Sequence, residues 1–309
     1  MSDAARPAPE RDFEPHRRRP RGLAYRMLGS VSDAEDVVQD AYLRWHAADR
    51  ERVADSGAFL TRVVARLCLD RLKSFRRRRE TYIGPWLPEP VLDASAWTPD
   101  DAGEIAADLS VALMLALERL SPLERAAFLL HDIFDLRFVE IAVVLERSEV
   151  ACRQLSARAR EHVRASRPRV PTDPDAAARL VAAFMDAART GDATALARLL
   201  AEDVAMHSDG GGRRRAARNV VRGRERVARF FAGIARKPAV QGIVSVEPAR
   251  VNALPGFVVR GADDTMQTIA FEVREGAISG IYMVLNPAKL GHLRRLTRSP
   301  PPPPPPPVP

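Results

Sequence analysis

Two cysteines in 309 residues, Cys68 and Cys152, leave this chain without a disulfide frame and without the spacing of a zinc site. They lie far apart, each within a helical pattern, and such usage suits packing in a reducing cytosol. No apolar run approaches the roughly 18 residues that span a membrane, and the N-terminus lacks the apolar core of a signal peptide. Lysine is also scarce. Arginine supplies nearly all of the 48 basic residues, which outnumber 40 acidic ones for a net charge of +8. With an isoelectric point near 10.2, that excess fits a phosphate-binding surface. These features predict a soluble, cytoplasmic protein with no membrane partner, no metal and no cofactor. The length gives room for two or three domains.

The most informative stretch runs from Leu120 to Val163. Ser121-Pro122-Leu123-Glu124 is a capping box with proline at the first helical position. Ala126, Ala127, Leu129 and Leu130 follow on that helix. A break near Asp135 leads to a second amphipathic helix around Val139, Ile141, Ala142 and Leu145. Glu146 sits at the following turn, where a glycine is common. Ser148 then caps a last helix in which Arg153, Gln154, Arg158 and Arg160 stand among Val150, Leu155 and Ala159. Two helices joined by a short turn, the second polar and basic, form a helix-turn-helix, whose second helix enters the DNA major groove. A hairpin needing only burial has no use for so many forked donors.

Before this motif, roughly from residue 11 to 80, lies a second helical region. Ser32-Asp33-Ala34-Glu35 reads as a capping box, and Ala34, Val37, Val38, Ala41, Tyr42 and Trp45 share one helical face. The opposite face carries Asp33, Asp36, Gln39, Asp40 and Arg44. Asp49 to Ser56 reads as a polar loop with Ser56 as the next cap. A helix from about Ala58 to Phe75 then buries Leu60, Val64, Leu67 and Leu72, and carries Arg62, Arg66, Asp70, Lys73 and Arg77 at spacings of three and four. Eight cations against Asp70 alone leave seven net positive charges between Arg62 and Arg79. That density attracts phosphates.

The segment from about 81 to 103 contains Pro85, Pro88 and Pro90 and so predicts an extended linker, with Trp86 docked on some surface. From about 172 to 296 the pattern changes. Two helices broken at Thr190-Gly191-Asp192 precede short runs at 204–206, 243–246, 256–259, 268–273 and 278–285, which predict a mainly antiparallel sheet and an α+β cone. His207, Asp209 and Asp263 are candidate acid–base groups, but no pair has a spacing that demands chemistry, so no enzyme is expected. Residues 297–309, almost all proline from Ser299 onward, predict an extended polyproline tail, and residues 1–10 a disordered leader.

The order of these parts resembles an extracytoplasmic-function sigma factor, a small bacterial transcription initiation factor. The resemblance implies two all-α sigma domains followed by the cone. In residues 11–80, sigma domain 2 would present Asp36, Gln39 and Asp40 to core RNA polymerase, and Arg62, Arg66, Lys73 and Arg77 to the −10 promoter element. In residues 104–167, sigma domain 4 would present Ser148, Arg153, Gln154 and Arg158 to the −35 element. The string Pro85-Trp86-Leu87-Pro88-Glu89-Pro90 matches the linker signature of the sigma group that carries a C-terminal SnoaL-like domain, a branch of the nuclear-transport-factor-two superfold. Asp209-Gly210-Gly211-Gly212-Arg213 is similar to that group's DGGGK loop, and Asn286-Pro287-Ala288-Lys289-Leu290 to its NPDKL motif, with Ala288 in place of the acid. Trp86, Leu87 and Pro88 would then join these two motifs as linker and regulatory residues. The group implies that the C-terminal domain contacts the sigma domains and modulates their activity, and it leaves room for a small ligand. The competing reading is a one-component DNA-binding regulator with a ligand-sensing domain.

Overall fold

A computed structural model describes residues 13, 16–49, 52–98, 109–165, 173–235 and 242–296. The leader at 1–10 and the proline tail at 297–309 lie outside the described residues.

Helix α1 (Arg18–Leu28) ends at Gly29, whose φ of 68° turns the chain into α2 (Val31–Ala47). The cap of α2 is Ser30, which accepts from the Asp33 amide. This corrects the capping box expected from Ser32 to Glu35. Glu89, from the linker, accepts from the Val31 amide at 2.8 Å and from the Ser30 hydroxyl at 3.0 Å. The free amides at this helix start are therefore satisfied partly from a residue far along the chain, which a local pattern cannot reveal. Glu35 pairs instead with Arg21 at 2.6 Å.

Helix α3 (Ser56–Glu80) runs beyond the limits expected at both ends. Its cap is Asp55, which accepts from the Ala58 amide at 2.9 Å; Ser56 is already helical. Leu60, Val64, Ala65, Cys68 and Leu72 face the core. After the linker come α4 (Val111–Glu118) and α5 (Pro122–Phe128), the latter with the expected capping box. α5 continues into a π-helical turn, Leu129–Ile133. α6 (Phe138–Leu145) and α7 (Glu149–Ala165) complete the motif. Glu146 adopts a left-handed φ of 55° between them.

One apolar core joins these helices from Leu23 of α1 to Val163 of α7, so the two helical regions are packed together. Arg125 reinforces the seam. Its buried guanidinium donates to the Met27 carbonyl at 2.6 Å and pairs with Glu118 at 2.8 Å. Burial lowers its pKa to about 10. Both cysteines are buried, in keeping with a packing role, and neither forms a disulfide.

The C-terminal region begins with α8 (Pro174–Thr190) and α9 (Ala193–Leu199), broken at Gly191 as expected. The strands are β1 (Leu200–Asp209), β2 (Val221–Arg222), β3 (Ile243–Val251), β4 (Leu254–Gly261), β5 (Met266–Arg274) and β6 (Ala277–Val284). They form one sheet in the order β2-β1-β6-β5-β4-β3, antiparallel except where β1 runs parallel to β6. Helix α10 (Arg224–Ala235) interrupts the strands and was not expected from the sequence. Short terminal elements follow, a 3-10 turn at Pro287–Lys289 and α11 (Gly291–Leu296).

The sheet has two buried faces. On one, Met206, Phe257, Phe271 and Ile281 meet Phe184 of α8, Leu196 of α9 and Phe231 of α10. On the other, Val258, Ala270, Tyr282 and Val284 pack against Leu87 of the linker, Val111 of α4, Leu290 and Leu293. Strands β4, β5 and β6 therefore lack a simple apolar–polar alternation, as expected where a sheet is covered on both sides, whereas the edge strand β3 is largely exposed.

Candidate nucleic-acid interface and linker dock

The acidic face of α2 is only partly free. Arg71 of α3 lies 3.0 Å from Asp40, 3.7 Å from Asp36 and 3.8 Å from Asp33. It therefore neutralises part of the acidic stripe, and one of the cations counted towards a basic surface faces these carboxylates instead. The Asp36 side chain keeps 66% of its exposure, Gln39 is exposed, and Leu43 one turn further is 59% exposed. The free part of this face is thus a carboxylate and an amide beside an apolar side chain.

On α3, Arg62, Arg66, Lys73 and Arg77 fall on one helical stripe by their spacing. Arg62 is half-buried, and Lys73 is exposed with Asp70 at 2.9 Å. The backbone of Arg77 belongs to α3, while its side chain lies outside the described residues. Arg66 donates to the Val143 carbonyl of α6 at 2.9 Å. Arg19 similarly donates to the Phe134 carbonyl. Helices α1 and α3 are thus hydrogen-bonded to the helix-turn-helix.

Ser148 caps α7 by accepting from the Ala151 amide at 3.3 Å. Arg153, Gln154 and Arg158 project to solvent. Arg153 pairs with Glu149 at 2.7 Å and lies over the Phe138 ring, while Arg158 meets Glu124 at 3.1 Å. Arg160 differs. It joins Ser156 in binding Asp132 on the π turn, so it braces the motif from within.

The linker motifs converge on a single place. Asp209, wholly buried at the end of β1, accepts from the Tyr82 hydroxyl at 2.5 Å and the Leu87 amide at 2.9 Å. Its third partner is Lys289, 2.7 Å away, whose ammonium also donates to the Leu87 carbonyl. That ammonium lies 4.2 Å from the Trp86 ring centre and 5.0 Å from that of Tyr82. Burial and the nearby Asp209 carboxylate push the Tyr82 hydroxyl well above its ordinary pKa.

Asn286 donates to the Tyr82 oxygen at 3.0 Å and accepts from the Ala288 amide at 3.1 Å. Pro287 opens the turn that aims Lys289 inward, and Leu290 is buried in the core that holds Leu87. The glycines are spacers for this contact. Gly210 starts the loop and accepts from the Arg213 amide at 3.0 Å. At Gly211, φ is 57° and an added Cβ would lie 2.1 Å from Asn286 Nδ2, so no larger residue fits. Gly212 faces Ile83. Arg213 and Ala288 are exposed. Trp86 packs on Gly29, and Pro88 is buried.

A second dock lies further along the linker, and no motif announced it. Asn252 exchanges two hydrogen bonds with the Val91 backbone, at 2.7 and 3.1 Å. Its amide also donates to the Tyr25 hydroxyl at 2.7 Å and the Leu109 carbonyl at 3.3 Å. Tyr25 in turn donates to the Glu89 carbonyl at 2.7 Å. His292 meets the Pro90 carbonyl at 2.8 Å. Asn252 sits at a hairpin turn with φ of 51°, where asparagine is common for local reasons alone. The only signal in the sequence was therefore ambiguous.

The three acid–base candidates are not brought together. Asp209 is committed to the linker. His207 stacks obliquely on Tyr282, and burial, helped by Arg222 and Arg119, lowers its pKa to about 4. Asp263 is exposed in a turn, held by Thr265 and near Arg214. The interior against α8 and α10 is filled by edge-to-face contacts of Phe184 with Phe231 and Phe271, at 5.0 and 5.4 Å.

Comparison with known proteins accounts for the order of these parts. Residues 13–79 match Sigma-70 region 2, residues 110–163 match Sigma-70 region 4, and residues 181–278 match the SnoaL-like domain. The chain is 40% identical over 287 residues to the ECF RNA polymerase sigma factor SigJ of Mycobacterium tuberculosis, covering 90% of this chain and 92% of that protein. This chain belongs to the extracytoplasmic-function RNA polymerase sigma factors. A second relative, the probable ECF sigma factor SigI of the same species, is 34% identical, with 88% and 91% covered. The crystal structure of SigJ superposes with a TM-score of 0.72 at 38% identity, covering 91% of this chain and 98% of that one. The expected fold class, helical sigma domains followed by a SnoaL-like cone, holds. The sigma factor reading stands over that of a one-component regulator.

Proposed function

We propose that this sigma factor binds core RNA polymerase through the free part of the α2 face, Asp36, Gln39 and the flank of Asp40. Polymerase then carries it to promoter DNA. Helix α7 enters the −35 major groove with Arg153, Gln154 and Arg158 towards the base edges, and Ser148 at the helix start close to phosphate. Arg62, Arg66, Lys73 and Arg77 hold the −10 backbone, while the loop from Asp49 to Ser56 receives an unpaired base. We divide the chain accordingly, into sigma domain 2 at 11–80, linker at 81–103, sigma domain 4 at 104–167 and SnoaL-like domain at 172–296. The site of action is the cytoplasm. The factor makes no bond itself; polymerase does the chemistry.

The C-terminal domain acts in this reading as a clamp, not a catalyst. What supports it most is the use of Asp209 and Lys289 to hold the N–H and the carbonyl of Leu87. The same linker caps α2 through Glu89, so the clamp fixes sigma domain 2 against the sheet. The Arg66–Val143 and Arg19–Phe134 contacts must part for the two sigma domains to reach separate promoter elements. A small ligand remains part of the proposal only as something that shifts this balance.

The test is run-off transcription with purified core polymerase, the full-length chain and a Lys289→Met variant. Transcripts that start at one place and require the protein support the sigma role, and a changed yield with the variant gives the sign of control. Tight duplex binding by the protein alone, without transcripts, would overturn the reading.

A further inference from the structure

From Gly210 to Arg224 the SnoaL-like domain carries six arginines and no acidic residue. Arg213, Arg214, Arg215 and Arg218 are all exposed on the loop that connects β1 to β2. Arg214 has Asp263 at 3.6 Å. Among the described residues, no carboxylate lies within ion-pair distance of Arg213, Arg215 or Arg218. Further along, Arg222, Arg224 and Arg226 share a groove with Glu202 and Glu225. Acidic side chains thus line the groove beside Arg222 and Arg224, whereas among the described residues three of the four arginines at 213–218 have no carboxylate within ion-pair distance.

Its position matters more than its size. Tyr82 is bonded to Asp209 at the root of this loop, Ile83 packs on Gly212, and Gly84 faces the Arg218 backbone. Tyr82 follows Arg79 by three residues, a reach of at most about 11 Å. The arginine run 76–79 closes α3, the helix that carries Arg62, Arg66 and Lys73. The linker dock thus sets the arginine loop directly beyond the C-terminal end of the basic helix. Gathering like charges in one region of the chain is unfavourable without a counter-ion, and a polyanion laid along α3 supplies one.

We infer that the 213–218 loop is a further DNA-contacting surface, through which the SnoaL-like domain binds phosphates of the promoter duplex continuing past the C-terminal end of α3. It reads no bases, because an arginine cluster on a loop contacts backbone and gives affinity without sequence preference. The inference rests on the sigma factor reading. It assigns the C-terminal domain a direct part in DNA binding, in addition to its grip on the linker.

The experiment measures holoenzyme binding to a fluorescent promoter duplex by anisotropy across a salt series, with the full-length chain. The Arg215→Ala/Arg218→Ala variant is expected to reduce the slope of log affinity against log salt by about 1.8, from about 0.9 per phosphate contact, and to weaken binding roughly 50-fold at 0.1 M salt. Arg215→Lys/Arg218→Lys should keep the slope, and base preferences should be unchanged throughout. Wild-type binding whose slope does not move in the alanine variant would overturn the inference while leaving the sigma reading intact. Wild-type holoenzyme that forms no promoter complex would remove both.

Discussion

Lys289 Nζ lies 2.7 Å from Asp209 Oδ2, and these two side chains also hold the backbone of Leu87, Asp209 its N–H and Lys289 its carbonyl. An ion pair this deeply buried contributes little to stability by comparison with an apolar pair, but removing one partner strands the other. The pair fixes the linker at Leu87.

Lys289→Met is expected to cost about 3 kcal/mol, because Asp209 stays buried with one fewer donor. Asp209→Asn should cost less in the Lys289→Met background than alone. Urea unfolding of the four proteins measures the coupling. Additive losses would mean that the two side chains act independently.

Gly29→Ala should destabilise the linker dock more than an ordinary glycine substitution. The φ of 68° alone costs about 1–2 kcal/mol, and the new Cβ would lie 2.4 Å from the Trp86 ring. Faster amide exchange at Glu89, whose N–H is bonded to the Gly29 carbonyl at 2.9 Å, is the expected signature. Adding Trp86→Ala should restore only the steric part. Unchanged exchange in Gly29→Ala would contradict this packing.

His207 makes stability depend on pH. Its folded pKa of about 4 lies below the ordinary value of 6.5, so the unfolded chain binds the proton more readily. The contribution is complete above about pH 6.5 and is lost as pH falls towards 4. Arg222 and Arg119 reinforce the shift by repelling the charged ring. A His207→Gln variant should lose part of the acid decline in melting temperature over that interval. An identical decline in both proteins would assign it to other groups.

Function should separate by surface. Arg153→Ala should relax base preference at one −35 position, at about 1–3 kcal/mol, in selection experiments with holoenzyme. Asp36→Ala/Gln39→Ala should weaken polymerase binding with little effect on folding, since both side chains are exposed. These are cleaner probes than Asp40, which also holds Arg71 at 3.0 Å. A polymerase affinity equal to wild type would displace the proposed face.

Local chemistry was legible in the sequence. The Ser121–Glu124 box, the break at Gly191, the left-handed Glu146, the extended linker and the strand runs all depend on neighbours within a few residues, and each stands where its pattern puts it. The motifs around Asp209, Asn286 and Trp86 could be named, but nothing local says that they meet. Helix α10 is not legible in the sequence because its arginine-rich start masks the short apolar face of Val227, Ala228 and Phe231. The cap of α2 is not purely local, because Glu89, dozens of residues away, accepts from the Val31 amide. Arg71 and Asn252 were likewise ordinary in sequence. Folding put the first against three carboxylates and the second between α1, the linker and the sheet. Short-range hydrogen bonding is encoded by adjacent residues, whereas a buried polar group finds its partner only when distant segments share a core. That core, common to both sigma domains and closed on the SnoaL-like sheet by the linker, is what only the tertiary structure decided.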